Sequence, residues 1–289
     1  MKRRAAVPLP SPGVVFDEEL FARLGRFTAR LSNARERREG AGKNRFRGIG
    51  SEIVGYRPYR PGEDLRMLDW NLYARFEKPF VRVAAREASE RWTVLLDTSA
   101  SMGVGESGKL QRAAEVVTAL GAVGLRMRAV VRLMCSSGAE GPRLRRLADL
   151  RGWANFLETC RADGTEGLGG FVRQSARLRD AGRVFLVGDL LDLAPADMKS
   201  FTRRGRELFC AQILAPEELV PTLGSVEWAD AEGNGRRRVE VDRDTLALYE
   251  RRLGRRLEAW RKAAEHRRVT YVCHASSEPF ETIAGDLLR

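Results

Sequence analysis

The chain has 289 residues, of which 43% are hydrophobic, and it carries a formal net charge of +12. This composition is typical of a globular protein with a sizeable core, and it excludes a disordered chain. No apolar run approaches the ~18 residues that a membrane span needs, so we expect none. The amino terminus begins like a signal peptide, but Pro8, Pro10 and Pro12 break its apolar stretch, which predicts a cytoplasmic location.

The first ninety residues contain one clear helix and a less regular segment. Helical spacing of apolar residues predicts a helix over 16–38, with a stripe formed by Phe16, Leu20, Leu24, Phe27 and Leu31. A Gly- and Arg-rich loop follows at 39–52, and the apolar pieces of 53–90 are too short for a core of their own. We therefore expect residues 1–89 to pack on the rest of the chain.

From Glu90 onward, strand-like and helical patterns alternate. Near-continuous apolar runs predict strands at 91–97, 129–137, 183–192, 207–215 and 269–276. Helical patterns lie at 109–126, 147–161, 168–179, 195–205 and 243–267, with a short helix near 279–289. Apolar strands separated by helices predict an α/β fold with a doubly wound, mostly parallel sheet that has helices on both faces.

One insertion breaks this alternation. Two strand-like arms surround Gly233-Asn234-Gly235, a pattern typical of a β-hairpin at about 226–241. The predicted organisation is therefore an N-terminal helix and irregular segment, residues 1–89, followed by a main domain, residues 90–289, that contains the hairpin insertion.

The cysteines and the positive charge suggest no special chemistry by themselves. Cys135, Cys160, Cys210 and Cys273 are far apart in sequence and form no CxxC pair, so we expect buried free thiols rather than zinc or disulfides. The Arg residues are spread along the chain without interleaved aromatics. A solvated basic surface is the preferred interpretation, nucleic-acid binding is an alternative, and attraction of an acidic protein partner stays open.

The stretch VLLDTSASMG, residues 94–103, places polar side chains directly after an apolar strand. Asp97, Ser99 and Ser101 provide one carboxylate and two hydroxyls, the oxygen ligands that Mg²⁺ prefers. Thr165, in a Gly-containing loop, and Asp189, at the end of a later strand, are candidates to complete a metal site. The alternative interpretation is that the carboxylates cap helices and the hydroxyls make local turn hydrogen bonds.

Enzymatic interpretations of this region fit less well. A serine nucleophile lacks the usual G-x-S-x-G elbow, and a haloacid-dehalogenase-type phosphatase would need a second Asp where Ser99 stands. The segment Gly103–Lys109 matches the G-x-x-x-x-G-K pattern of phosphate-binding loops, but Leu110 replaces the metal-binding hydroxyl. We expect a flexible loop with Lys109 on its surface, and keep a nucleotide-binding or hydrolytic enzyme as the alternative.

Two family resemblances rest on these residues. Asp97, Ser99 and Ser101, together with Thr165 and Asp189, resemble the metal-ion-dependent adhesion site of von Willebrand factor A domains, which are doubly wound α/β folds with the ion at the top of the sheet. The preceding segment, residues 48–90, resembles the signature of the bacterial DUF58 family, whose members join it to an A-type domain. The residues that carry this second resemblance are Gly48, Gly50, Glu52, Arg57, Tyr59, Pro61, Gly62, Asp64, Arg66, Asp69, Trp70, Ala74, Arg75 and Glu87.

Two features depart from that family. Many members carry transmembrane helices, and this chain is expected to have none. The usual Ser before the second strand-end Asp is replaced by Gly188, which affects an outer contact of the site but not the carboxylate.

The resemblance implies a non-enzymatic adaptor rather than a catalyst. Genes of this family often neighbour those of MoxR-type AAA+ ATPases, and the pair is thought to assemble or activate other proteins. Asp97, Ser99, Ser101 and Thr165 would hold Mg²⁺ directly or through water, and Asp189 would help through a water. A Glu or Asp of a protein partner would fill the open coordination position.

Overall fold

The structure is a computed structural model, and it describes residues 13–40, 53–61, 63–64, 66, 68–84, 90–106, 108–221, 223–229 and 236–289. The chain divides into two compact units, one formed by the described residues up to Arg35 together with Glu90–Arg289, the other by those of Glu36–Ser89. The predicted division of the chain at residue 89 stays a prediction.

From residue 90 onward the predicted strands and helices occur in the predicted order, and the structure adds short elements that the sequence patterns did not indicate. The helices are α1 (Glu18–Gly40), α2 (Trp70–Phe76), α3 (Lys109–Arg126), α4 (Asp149–Thr159), α5 (Gly170–Arg173), α6 (Met198–Phe201), α7 (Pro216–Leu219), α8 (Arg243–Arg267) and α9 (Phe280–Leu287). The strands are β1 (Ile53–Pro58), β2 (Phe80–Ala84), β3 (Arg91–Leu96), β4 (Val130–Cys135), β5 (Arg183–Gly188), β6 (Glu207–Leu214), β7 (Gly224–Ala229), β8 (Arg236–Val241) and β9 (Thr270–Ala275).

A five-stranded parallel sheet organises the larger unit, with strand order β4-β3-β5-β6-β9. The chain runs from β3 to β4 on one side and then crosses back to β5 on the other side of β3. The carboxyl ends of β3 and β5 therefore flank the point where the winding direction reverses, which is where open α/β sheets form a ligand-binding crevice. The predicted α/β class, with a parallel sheet and helices, is confirmed.

Both faces of this sheet are covered, which explains its near-continuous apolar strands. Successive side chains of a strand point to opposite faces. Accordingly, Val94 and Leu96 belong to a core built with α1, α3, α4 and α9, whereas Leu95 belongs to a second core built with α5, α6 and α8. Packing on both faces, together with pairing to β4 and β5, sets the position of β3 and of the residues that directly follow it.

Helix α1 supplies part of the first core, as its apolar stripe predicts. Leu20, Leu24 and Phe27 are buried there. Arg23 makes a two-pronged ion pair with Glu281 of α9, with N–O distances of 2.8 and 2.6 Å. The helix begins two residues later than the predicted start at residue 16.

Two predicted helices are shorter than expected. Residues 168–179 form α5 and a separate 3₁₀ turn, and residues 195–205 form α6 flanked by 3₁₀ turns. In the second case Arg204 adopts a left-handed backbone conformation, with φ of 64°, which an α-helix does not tolerate. The arms of the predicted hairpin pair antiparallel as β7 and β8, and its turn at 233–235 lies outside the described residues.

The smaller unit has a local architecture of its own. Strands β1 and β2 pair antiparallel. Asp69 caps α2, because its Oδ1 accepts hydrogen bonds from the backbone N–H groups of Asn71 and Leu72 at 3.0 and 3.2 Å. Arg57 makes a two-pronged ion pair with Glu63 at 2.8 and 2.7 Å. The signature residues that lie outside the described residues are Gly48, Gly50, Glu52, Gly62 and Glu87.

Candidate functional site

The two strand-end acids follow neighbouring strands, β3 and β5, at the reversal point of the sheet. Asp97 directly follows β3 and Asp189 directly follows β5, and their residues are 0% and 1% exposed. The backbone N–H of Asp97 donates to the carbonyl oxygen of Val187 at 2.9 Å, so parallel pairing continues one residue beyond β3. The sheet itself therefore positions both acids.

Gly188 lies against Asp97 so closely that it leaves no room for a side chain. A Cβ atom added at residue 188 would lie 2.3 Å from the Cβ of Asp97. Non-bonded carbon atoms do not approach this closely, so glycine is required while Asp97 keeps its position. Gly188 therefore packs directly against the residue that carries the buried carboxylate.

The carboxylate of Asp97 is satisfied on one side only. Its Oδ1 accepts hydrogen bonds from the backbone N–H and the Oγ of Ser99, at 2.9 and 2.6 Å, and from the Oγ of Ser136 at 3.4 Å. The Oγ of Ser99 lies 3.0 Å from that of Ser101. The Oδ2 of Asp97 is buried and has no hydrogen-bond partner among the described residues. An oxygen in this state is costly unless a proton or a cation accompanies it.

The surroundings of Asp97 disfavour its charge. Burial is the main cause that raises the pKa of Asp97, and the nearby charge of Asp189 adds to it. The hydrogen bonds from Ser99 lower this pKa, and the net result is a pKa of about 7. The charge of Asp192 acts in the same direction. A divalent cation beside Oδ2 would replace that proton and relieve the repulsion between the acids, so the donor set fits a hard metal ion.

Lys109 is the residue that the sequence interpretation misplaced. We expected it on the surface of a flexible loop, but its side chain is completely buried. Its Nζ lies 3.1 Å from the Oδ2 of Asp189 and 2.8 Å from the Oε1 of Glu218. Lys109 is the first residue of α3, and that helix packs on the sheet, so the side chain runs inward along the edge of the site. Its ammonium group is engaged by two carboxylates.

Several further contacts fix the loop that carries Asp189. The Oδ1 of Asp189 accepts a hydrogen bond from the backbone N–H of Leu191 at 3.1 Å, and the carbonyl oxygen of Asp189 accepts one from the Nε2 of Gln212 at 2.7 Å. The Nη2 of Arg256 donates to the carbonyl oxygens of residues 190, 191 and 193. Both carboxylate oxygens of Asp189 already have a donor, which suits this residue to an indirect, water-mediated contact with an ion.

The loop with Thr165 reaches the same edge of the sheet through its neighbour Gly164. The N–H of Gly164 donates to the carbonyl oxygen of Thr98 at 3.0 Å, and its own carbonyl oxygen accepts from the N–H of Ala100 at 2.9 Å. A Cβ at residue 164 would lie 2.9 Å from the carbonyl oxygen of Thr98, so this approach requires glycine. Thr165 itself is exposed and follows immediately.

Three residues of the site were missed by the sequence interpretation: Ser136, Asp192 and Glu218. Ser136 follows β4 as Asp97 follows β3, and its Oγ accepts the backbone N–H of Thr98 at 2.9 Å. Its position after a strand was the available signal. Asp192 accepts the N–H of Gly169 at 2.6 Å and so joins two loops of the site, a contact that no local pattern reveals.

The described residues contain no group of three or more His, Cys, Asp or Glu side chains arranged to hold a metal ion. The predicted set has a different composition, since it contains two carboxylates, Asp97 and Asp189, and otherwise hydroxyls. The structure brings Asp97, Ser99 and Ser101 into hydrogen-bonding contact and places Asp189 and the Thr165 loop at the same edge. That these five residues bind a metal stays a prediction.

These observations define an α/β protein with a buried acidic site at the reversal point of a parallel sheet. Residues 55–139 match the model of a family described as "Protein of unknown function DUF58". The matched span contains Asp97, Ser99 and Ser101 but ends before Thr165 and Asp189. It agrees with the DUF58 resemblance over that part of the chain. Within the described residues, no helix has the length and apolar character that crossing a membrane requires.

Similar solved structures were also found. One is the conserved hypothetical protein BatB from Bacteroides thetaiotaomicron, with 16% identity and a TM-score of 0.41 over 69% of this chain and 98% of that chain. Another is an aerotolerance-related membrane protein from Bacteroides fragilis NCTC 9343 with multiple mutations to serines, with 17% identity and a TM-score of 0.43 over 69% and 99%. No curated protein matches the chain at a significant level.

Proposed function

We propose that this chain is a non-enzymatic interaction module that binds an acidic side chain of a partner protein through Mg²⁺. The observation that carries the proposal is the Oδ2 of Asp97, a buried carboxylate oxygen without a hydrogen-bond partner among the described residues. It lies at the reversal point of a parallel sheet, where ligands of open α/β folds bind. The hydroxyl of Ser99 contacts the other oxygen of the same carboxylate, and the hydroxyl of Ser101 lies 3.0 Å from that of Ser99, so both are further oxygen ligands close to Asp97.

In this proposal, Asp97, Ser99, Ser101 and Thr165 hold the ion directly or through water, and Asp189 acts through a water. Mg²⁺ supplies a Lewis-acidic position for an incoming carboxylate. Thr165 is exposed and Ser101 is partly exposed, so they mark the side from which that carboxylate arrives.

The charge balance supports a site that accepts an anion. Lys109 pairs with both Asp189 and Glu218 and offsets part of their combined negative charge. Of the two carboxylates in the predicted set, Asp97 is the one with an oxygen that has no donor among the described residues. Direct coordination by this single carboxylate would leave positive charge on the ion to attract a further carboxylate. The net charge of +12 adds a general attraction for an acidic partner.

Calorimetric titration with Mg²⁺, followed by Mn²⁺ as a second probe, tests the metal site. We expect a single site in the unmodified chain and a loss of affinity of about tenfold or more in Asp97→Ala. The matched control is Asp180→Ala, since the Asp180 side chain is 79% exposed and lies away from the site. Circular dichroism checks that each variant is folded. Equal Mg²⁺ affinity in all three proteins would contradict the proposal.

The partner that we propose is a MoxR-type AAA+ ATPase, the class that the family resemblance implies. The test is a binding assay with that purified ATPase in Mg²⁺ and in a chelator. Because such an ATPase needs Mg²⁺ for its own nucleotide, the decisive comparison is between the unmodified chain and Asp97→Ala, both in Mg²⁺. Binding that survives Asp97→Ala would refute a metal bridge.

The same proteins address the alternative functions. The engagement of the Lys109 ammonium by two carboxylates gives no support to nucleotide binding by Gly103–Lys109. We expect no ATP binding, and an ATP affinity that disappears in Lys109→Ala would support the enzyme instead. If the chain bound nucleic acid, its affinity would fall steeply as the salt concentration rises, and Asp97→Ala would leave that affinity unchanged.

A further inference from the structure

The fold brings together two cysteines that are distant in sequence. Cys135 is the last residue of β4, and Cys160 follows the end of α4. Their Sγ atoms lie 3.8 Å apart. Cys135 is completely buried, whereas Cys160 is 9% exposed. Both are free thiols in this structure. No sequence pattern indicates this contact, because neither cysteine belongs to a spaced motif.

We propose that Cys135 and Cys160 form an oxidisable dithiol, a modification site at which a hydroperoxide produces an intramolecular disulfide. The sulfur atoms of a disulfide are about 2.05 Å apart, so the two Sγ atoms must approach by about 1.8 Å. Cys160 can supply much of that movement, because it lies outside α4 with an extended backbone conformation, φ −68° and ψ 142°.

The two thiols have different environments, which favours an ordered reaction. The hydrogen bond from Cys135 and, to a smaller extent, the positive charge of Arg161 lower the pKa of Cys160 against the opposing effect of its burial. The same contact and burial raise the pKa of Cys135. Cys160 is also the more exposed of the two. Cys160 is therefore the attacking thiol and Cys135 the resolving thiol.

The reaction has two balanced steps. The Cys160 thiolate attacks one oxygen of the hydroperoxide, the O–O bond breaks, and the departing oxygen leaves as water or alcohol after protonation, so Cys160 becomes a sulfenic acid. The sulfur of Cys135 then attacks the sulfur of Cys160, the S–O bond breaks, and the hydroxyl leaves as water with the proton of the Cys135 thiol. Two thiols are oxidised and one peroxide is reduced.

The proposed disulfide would join two segments that contact the turn after β3, the part of the candidate site that begins at Asp97. Ser136 follows Cys135 directly and contacts both Asp97 and Thr98. Gly164 lies four residues after Cys160 and is hydrogen-bonded to Thr98 and Ala100. A covalent link between the end of β4 and the end of α4 thus restrains both sides of the turn after β3. The proposal does not depend on metal binding by that turn.

Peptide mass spectrometry of the full chain tests the modification directly. The reduced protein, kept in a chelator, is treated with stoichiometric hydrogen peroxide, alkylated under denaturing conditions and digested. We expect a peptide pair linked through Cys135 and Cys160, with Cys210 and Cys273 alkylated. Cys210 is the internal control, because it is completely buried in the opposite core.

Single variants test the order of the two thiols. Cys160→Ser should abolish the linked pair and leave Cys135 alkylated, whereas Cys135→Ser should leave a sulfenic acid at Cys160 that a dimedone probe captures. Cys273→Ser is the matched control and should leave the linked pair unchanged. Alkylation of all four cysteines after peroxide, links only between chains, or a linked pair that involves Cys210 or Cys273 would overturn the proposal. If Cys135→Ser does not fold, the unmodified chain and Cys160→Ser still decide it.

Discussion

Replacement of Lys109 by methionine removes the charge from the buried ion network with little change in side-chain volume. The ammonium of Lys109 has two carboxylate partners, at 3.1 Å in Asp189 and 2.8 Å in Glu218. Removing one partner of a buried pair costs about 3–5 kcal/mol, because the remaining charge is buried without compensation. The side chain of Asp189 is 2% exposed, whereas that of Glu218 is 19% exposed and can regain water. We therefore expect the loss to arise mainly at Asp189 and to lie near the lower end, about 3 kcal/mol.

Chemical denaturation in the presence of a chelator measures this loss. Lys262→Met is the matched control, since the Lys262 side chain is 73% exposed and its pair with Glu258 lies on a helix surface. We expect the control to change the free energy of unfolding by less than about 0.5 kcal/mol. In the double variant Lys109→Met with Asp189→Asn, part of the stability should return, because no buried charge is left unpaired at Asp189. A Lys109→Met protein as stable as Lys262→Met would refute the buried network.

Three further substitutions test other parts of the structure. Gly188→Ala should lower the free energy of unfolding by about 1–3 kcal/mol, because the added Cβ would collide with Asp97. Gly254→Ala is the control, since residue 254 lies at an open helix position, and it should not lower the free energy of unfolding. Equal effects of the two variants in denaturation experiments would contradict the close contact. With metal chelated, the free energy of unfolding should fall by about 4 kcal/mol as pH rises from about 4 to about 7, because the unfolded carboxyl of Asp97 ionises near 3.8 and the folded one near 7. Asp97→Asn should remove that decline, and a decline that persists in the variant would assign it to another group. Leu24→Ala should lower the free energy of unfolding by about 2–5 kcal/mol, because Leu24 is buried in the first core. Leu147→Ala is the control and should change it very little, since Leu147 is 75% exposed. Similar values for the two variants would argue against α1 as part of the first core.

Local sequence patterns were sufficient for the strands of the parallel sheet, for the long helices around it and for the contact between Asp97 and Ser99. Apolar strands alternating with amphipathic helices required a sheet covered on both faces, because only such a sheet buries every side chain of strands such as β3 and β5. The contact of Asp97 with Ser99 is also local, since residues two apart after a strand can close a turn through a side-chain hydrogen bond. Both predictions depend on distances of a few residues.

The tertiary structure alone decided the contacts that depend on strand order. Nothing in the sequence around Lys109 indicates that its ammonium is buried between Asp189 and Glu218, because those acids come from segments that follow β5 and β6. The same holds for Gly188 against Asp97 and for the sulfur atoms of Cys135 and Cys160. The physical reason is that each of these contacts joins residues whose separation is fixed by the parallel register and the winding of the sheet, which no short sequence window contains.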